Sequence, residues 1–218
     1  MRAMRIIKNA CFGVMTAAVL FSAVPVCQAS ARIEVPETVF QWVQSTSRQN
    51  YYFNKEQMCY GVKPNGDIDI GTLIVPTLRT FDDVQKQDVI DKRRWKMESV
   101  KGYDDLVGSA DYLAIDLRSR TVKVTKHDDL DSTWSALSSN TDGPTIDMNK
   151  MSGKDVESKF CNAILQYAAK HQDELLARTK GKLSAADAKI LKTKKDPLFQ
   201  PAVNPLQNDT VTKAAAKK

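Results

Sequence analysis

The sequence lacks the short motifs that carry common enzyme chemistry. It contains no Gly-Xaa-Ser-Xaa-Gly nucleophile elbow, no phosphate-binding loop, no dinucleotide-binding fingerprint and no His-Glu-Xaa-Xaa-His helix. Histidine is also scarce, since His127 and His171 are the only two in 218 residues. A nucleophile needs a neighbouring base, and we expect these histidines on a loop and on a helix face. We therefore predict no catalytic residues and no cofactor.

A complete set of metal ligands is missing as well. Residues 127–131 read His-Asp-Asp-Leu-Asp, and these side chains are of the types that bind metal ions. The segment has neither the turn glycine nor the distal glutamate of a calcium loop, and zinc would need further histidine or cysteine ligands. We interpret it as a solvated acidic loop and predict no metal site.

The central part of the chain has no surplus of positive charge. The formal net charge of the whole chain is +6, but residues 32–178 contain 20 basic and 23 acidic side chains. The surplus lies in residues 1–31, with three basic residues and no acid, and in residues 179–218, with nine lysines against three aspartates. A nucleic-acid-binding domain needs basic side chains to neutralise phosphates. We therefore predict no nucleic-acid partner.

Long apolar runs are missing after the first segment of the chain. The run from Ala10 to Val26 follows three basic residues and precedes several small ones. This order is typical of a secretory signal peptide, residues 1–31, cleaved near Ala29 or Ala31. An uncleaved membrane anchor and a lipidated N-terminus at Cys27 remain as alternatives. We predict a secreted protein, periplasmic or at the cell surface, without a transmembrane segment in the mature chain.

Only two cysteines, Cys59 and Cys161, remain once the leader is removed. Two cysteines in an exported chain predict one disulfide. In the chain-entropy model, a disulfide that closes the loop from residue 59 to residue 161 would stabilise the fold by about 4.7 kcal/mol, although about 2 to 4 kcal/mol is more usual. The alternative is a pair of buried free thiols.

The clearest structural pattern is a β-hairpin over residues 111–126. With the turn centred on Ser119 and Arg120, Leu117 faces Val122 and Ile115 faces Val124. These four side chains form one apolar face, which fixes the register because a slip of one residue would turn them towards water. We expect the rest of the fold to be arranged around this hairpin.

The remaining elements are predicted from turn residues and periodicity. We expect strands at residues 39–45 and 50–54, and a hairpin of residues 57–62 and 67–75. Pro76 should end the second strand of this hairpin or place it at an edge of the sheet. Residues 138–152 are rich in turn formers and predict a mobile connection. The stretch 81–90 is ambiguous.

An apolar stripe at helical spacing predicts one long helix near the C-terminus, with Ser152 as its N-cap and Gly181 at its end. A short helix over 184–192 and a disordered lysine-rich tail follow. The fold class is then α+β, an antiparallel meander sheet of hairpins packed against one long C-terminal helix. We predict a signal peptide (1–31), a single domain (32–181), and a short helix with a disordered tail (182–218).

One basic cluster is a candidate partner contact. It consists of Lys92, Arg93, Arg94, Trp95 and Lys96. A tryptophan between cations is typical of a stacking or anion-binding surface. The alternative is a solvated strand edge whose tryptophan is buried.

The layout of aromatic residues resembles one family of small secreted bacterial domains. Trp42, Tyr51-Tyr-Phe53, Trp95-Lys96 and the stretch 112–124 together resemble the surface-adhesin E type. The resemblance implies a sheet packed on a helix and an exported binding or envelope role, with no catalytic residues to carry over. In that family a cysteine commonly follows the Ile-Asp of the central strand, whereas this chain has Leu117.

We therefore predict an exported bacterial envelope protein of non-enzymatic type, which acts by surface contacts with an envelope or host surface protein. The alternative is a secreted hydrolase that uses acidic residues. Its candidate carboxylates are the pairs Asp82-Asp83, Asp104-Asp105 and Asp128-Asp129.

Overall fold

The computed structural model describes residues 34–192 and Phe199. The predicted signal peptide and most of the predicted tail lie outside the described residues. The structure confirms the α+β class, with eight strands and four α-helices in the described part. The elements are β1 (Phe40–Ser45), β2 (Gln49–Asn54), β3 (Cys59–Val62), β4 (Ile68–Phe81), α1 (Asp83–Trp95), β5 (Leu106–Asp116), β6 (Thr121–Asp131), β7 (Ala136–Asn140), β8 (Thr145–Asp147), α2 (Val156–Lys170), α3 (Gln172–Arg178) and α4 (Ala185–Lys192).

The eight strands form one antiparallel sheet. Its order is β1-β2-β4-β5-β6-β7, with β3 also paired to β4 and β8 to β6. The prediction that Pro76 ends its strand or lies at an edge is wrong, because Pro76 pairs with Tyr112 in the interior of β4. On the other side of β4, the partner changes from β3 at Ile74 to β2 at Thr77. Pro76 lies at this gap, where a missing N–H removes no ladder hydrogen bond.

The central hairpin is present as β5 and β6, but its predicted register is wrong. Ile115 pairs with Val122 and not with Val124. The turn is longer than predicted because the Asp116 side chain accepts two backbone N–H groups of the turn, each at 2.8 Å. The observed partner of Ile115 lies two residues before the predicted one along β6. Because this displacement is an even number of residues, the apolar side chains stay on the predicted face of the sheet.

Two segments predicted as loops belong to the sheet. The expected acidic loop at 127–131 is the second half of β6, and the expected mobile connection at 138–152 contains the end of β7 and all of β8. Their composition is typical of turns, but tertiary pairing with neighbouring strands overrides such local preferences. The ambiguous stretch forms α1. Its N-cap is Asp82, whose side chain accepts the backbone N–H of Gln85 at 2.7 Å.

The prediction of one long C-terminal helix is wrong. The chain forms α2 and α3, which are separated at His171, where φ is −118° and ψ is 29°. Ala168 and Leu175 are both buried, and seven residues make almost two helical turns. The apolar stripe therefore stays in phase across the break, and spacing alone cannot reveal it. The N-cap of α2 is Asp155 rather than Ser152, and α3 ends before Gly181.

The core lies between one face of the sheet and α2 with α3. Phe160 packs edge-on against Tyr51 with ring centroids 5.6 Å apart, and Tyr167 packs against Phe53 at 5.2 Å. Beyond the predicted domain end, Phe199 packs against the same core. Such aromatic pairs contribute about 0.5 to 1.5 kcal/mol each beyond the burial of their surface.

The predicted disulfide is not present in the structure. Cys59 and Cys161 are both free thiols. Their surroundings differ, since Arg178 is the charged group acting on Cys59 whereas Glu157 and Arg79 act on Cys161. Burial, and then the nearby Glu157 carboxylate, raise the pKa of Cys161 to about 12. The thiol is therefore protonated and unreactive at neutral pH.

Hydrogen bonds attach the end of the helical layer to the sheet in place of the expected crosslink. Arg178 Nη1 donates to the carbonyl oxygen of Lys55 at 2.6 Å, just before β3. The Thr179 hydroxyl accepts the backbone N–H of Tyr60 at 3.0 Å. Both contacts hold the residues after Leu175 against β3 and the turn that precedes it.

Candidate functional site

The basic cluster lies at the C-terminal end of α1, and its interpretation as a strand edge is wrong. Some residues of the cluster line a cavity, whereas others lie on the exposed surface of the helix. Lys92, Arg93 and Lys96 line a cavity between α1 and the sheet. Arg94 points elsewhere and pairs with Asp91 at 3.1 Å. The fifth member, the tryptophan, is 90% exposed.

The cavity has a volume of about 530 Å³. It lies over the polar end of the sheet face whose apolar part forms the core. Arg79, Ser109, Asp129 and Ser138 lie side by side on β4, β5, β6 and β7 and form its floor. Cavities of about 300 to 1,000 Å³ are typical of small-ligand sites.

A β-bulge brings His127 onto the cavity face. Leu113 pairs with Val124, but the preceding residue, Tyr112, pairs with Lys126, so Thr125 is the extra residue. Without this insertion, the alternation of β6 would turn His127 towards the other face of the sheet. The bulge therefore places His127 opposite Asp111 and next to Asp129 in space.

Seven side chains of alternating charge form a continuous chain across this end of the sheet, which we call the charge ladder. Its members are, in spatial order, Glu157, Arg79, Asp111, His127, Asp129, Arg93 and Glu98. The successive closest nitrogen to oxygen distances are 3.2, 3.6, 2.6, 3.2, 3.6 and 3.1 Å. The ladder connects the start of α2 to the end of α1 through three central strands.

His127 is held as an imidazolium at the centre of the ladder. Its Nδ1 contacts Asp111 Oδ1 at 2.6 Å and its Nε2 contacts Asp129 Oδ1 at 3.2 Å. The hydrogen bond with Asp111, and then that with Asp129, raise the pKa of His127 to about 10. The histidine is therefore positively charged at neutral pH, and both nitrogens act as donors.

The carboxylate of Asp129 is correspondingly held ionised. Burial opposes its ionisation, but hydrogen bonds from His127 and Tyr103 outweigh this effect and keep the pKa of Asp129 below its ordinary value. The Tyr103 hydroxyl donates to Asp129 Oδ2 at 2.6 Å. Burial, and then this hydrogen bond, raise the pKa of Tyr103 to about 12. Arg93 stacks over the Tyr103 ring at 4.4 Å and closes the group.

This arrangement suits electrostatic binding better than proton transfer. A general base must be deprotonated and able to reach a substrate proton, whereas His127 is charged and both of its nitrogens are engaged. Of the six acidic residues named for a hydrolase, only Asp129 lines the cavity. Asp82 caps α1, and Asp128 accepts hydrogen bonds from Lys126 and Ser139.

The helix end beside the cavity exposes two large apolar side chains. Trp95 is 90% exposed and Met97 is 95% exposed. Met97 adopts a left-handed conformation with φ of 57°. Its N–H donates to Arg94 O and that of Glu98 donates to Arg93 O, which is the Schellman arrangement that usually places glycine at this position.

Comparisons with protein-family models, with curated proteins and with solved structures found no match for this chain. The resemblance to surface-adhesin E domains therefore stays a prediction from the sequence. Within residues 34–192, no helix is both long and apolar enough to cross a membrane. The described part also contains no group of three or more side chains suited to hold a metal ion.

Sequence reasoning located the cationic helix end but missed the sheet side of the site. Arg79 and Asp111 are both members of the ladder, and neither was singled out. The available signal was the opposite charge of Asp111 and His127 on neighbouring strands, which favours pairing. The predicted register concealed this pairing, because in that register Asp111 would face Asp128 and not His127.

Proposed function

We propose that this protein is an exported bacterial envelope protein of non-enzymatic type, which acts by surface contacts with a protein partner. The observation that carries the proposal is the exposed end of α1. Trp95 and Met97 stand in solvent two residues apart, next to the cations Arg94 and Lys96. Tryptophan and arginine are among the residue types enriched at the energetic centres of protein interfaces. We define Arg94, Trp95, Lys96 and Met97 as the contact patch.

The charges of the contact patch favour a partner with an acidic surface. Lys96 has no ion pair among the described residues, and the pair between Arg94 and Asp91 is exposed. Exposed ion pairs contribute only about 0 to 1 kcal/mol, so an acidic partner can displace it at little cost. Trp95 would supply apolar contact area and the cations would supply orientation and a faster association rate.

The export part of the proposal rests on residues 1–31, which have the composition of a signal peptide and lie outside the described residues. Expression of the full chain in a bacterium, followed by intact mass measurement of the envelope fraction, tests it. We expect a mature chain that begins near residue 30 or 32. A full-length chain confined to the cytoplasm would contradict export.

Photo-cross-linking tests the contact patch. A photoreactive residue is placed at position 95 in one variant and at position 42 in another, because Trp42 is also exposed, at 53%, and lies on β1. We expect one envelope protein to be captured specifically from position 95 in intact cells. Equal capture patterns from the two positions would refute the proposed location.

The captured partner is then purified and its affinity measured with Trp95→Ala and Trp42→Ala. Truncation of an interface centre costs about 2 kcal/mol or more, which corresponds to about a 30-fold rise in Kd. We expect this loss for Trp95→Ala alone. Unchanged affinity of Trp95→Ala would contradict the proposal.

A further inference from the structure

The cavity behind the contact patch carries a surplus of positive charge that the fold itself does not use. Its lining contains the cations Arg79, His127, Arg93, Lys92 and Lys96. The two lining carboxylates, Asp129 and Glu98, already pair with members of the ladder. Lys92 and Lys96 have no ion pair among the described residues, so they are the part of the surplus without a structural partner.

The positions of these two lysines concentrate their charge on one side of the helix. Residues four apart lie on the same face of an α-helix, and both Lys92 and Lys96 line the cavity. Like charges at this spacing destabilise a helix by about 0.2 to 0.5 kcal/mol. An anion bound between them would relieve this repulsion. His127, which is itself a cation, lines the same cavity.

The rest of the lining is suited to a ligand with many hydroxyl groups. Gln49, Gln85 and Asn140 contribute amides, and Ser138 contributes a hydroxyl. Gln49 Oε1 is buried and has no hydrogen-bond partner in the protein. An unsatisfied buried acceptor costs about 1 to 3 kcal/mol, and a ligand hydroxyl reached by a small rotation of this side chain would remove that cost.

We propose that this cavity binds an acidic sugar of one or two rings, with its anionic group between Lys92 and Lys96 and its hydroxyls on the amides and Ser138. The Phe81 ring, which also lines the cavity, offers an apolar surface to one face of the sugar ring. The anionic group is a carboxylate or a phosphate, since both accept several hydrogen bonds from lysine. The site shares Lys96 with the contact patch, but Trp95 does not line the cavity, so Trp95→Ala tests the contact patch separately from the sugar site.

Isothermal titration calorimetry of the purified protein with glucuronate, glucose 6-phosphate and glucose tests the inference. We expect both acidic sugars to bind at least tenfold more tightly than glucose, and the tighter of the two identifies the anionic group. Affinity should fall as salt is added, because the contact is electrostatic. Equal binding of all three sugars, or no binding of the acidic ones, would overturn the proposal.

Matched variants then test the location. Lys92→Gln/Lys96→Gln removes two positive charges that line the cavity, and Lys101→Gln/Lys123→Gln removes two exposed charges that do not. We expect the first pair to weaken binding of the acidic sugar at least tenfold and the second less than twofold. Equal weakening by both pairs would show a nonspecific charge effect and refute the site. Circular dichroism confirms that both variants fold.

Discussion

Replacement of His127 by glutamine should change how the stability of the protein depends on pH. The folded pKa of His127 is about 10, against an ordinary value of 6.5. A group with a raised pKa in the folded state stabilises that state fully below its unfolded pKa. The stabilisation is lost as pH rises from about 6.5 through 10. His127→Gln removes the titrating group, so its stability should lack this decline.

The size of the effect follows from the shift and from the exposure of the side chain. One pKa unit corresponds to about 1.4 kcal/mol, so the full shift sets an upper bound of about 5 kcal/mol. The His127 side chain is 39% exposed, and solvent screens its interactions with Asp111 and Asp129. We therefore expect a contribution of about 2 kcal/mol at pH 6. Arg79 and Arg93 flank the two carboxylates and limit the gain further.

The assay is chemical denaturation of the wild type and His127→Gln at pH 6 and at pH 9.5. The wild type should lose about 2 kcal/mol more than the variant between the two values. The Cys59 thiol and Lys126 titrate in the alkaline range as well, but they are common to both proteins and cancel in the difference. His171→Gln changes the other histidine, which pairs with exposed Glu174, and serves as the matched control.

A direct measurement can refute the reasoning independently of stability. NMR titration of the two histidine rings should show His127 still mostly protonated at pH 7.5. An imidazole that titrates near its ordinary value of 6.5 would show that Asp111 and Asp129 do not hold it as a cation. Parallel stability curves for the wild type and His127→Gln would lead to the same conclusion.

Three further predictions concern backbone strain, packing and thiols. Met97→Gly should raise the free energy of unfolding by about 1 kcal/mol because it relieves a left-handed residue, whereas Met97→Ala should not. Gly108→Ala should lower the free energy of unfolding by about 1 to 3 kcal/mol, since a Cβ there would lie 2.1 Å from the Arg79 carbonyl oxygen. Denaturation curves measure the effect of both substitutions, and unchanged midpoints would contradict these two predictions. A thiol reagent without reductant should modify Cys59 before Cys161 in the folded protein and both after unfolding; a single reactive thiol or none in the unfolded mature chain would contradict the structure.

Local sequence patterns were sufficient to predict the elements that depend on residues close together in the chain. The two N-terminal hairpins and the short helix α4 were predicted from turn residues and periodicity. The apolar face of the central hairpin was also correct despite the wrong register, because an even offset preserves the alternation of side chains. These features depend on residues close together in the chain.

The candidate site could be predicted only in part. The cationic segment around Trp95 was visible as a cluster of like charges, but whether its tryptophan was buried depended on the packing of α1. His127 was placed on a loop because nothing local signals the bulge at Thr125. The bulge is a shift in the pairing of β6 with β5, so it cannot be recognised from the residues of β6 alone.

Sequence patterns were enough to predict the α+β class and the apolar face of the sheet, and they show that common catalytic motifs are missing. Tertiary structure alone decided that Glu157, Arg79, His127 and Arg93 belong to one charge ladder, since they come from separate elements. It also decided that the cysteines remain apart and that the end of α1 lies over a cavity. The physical reason is that alternation and turn chemistry act over a few residues, whereas charge pairing and burial depend on which distant segments meet.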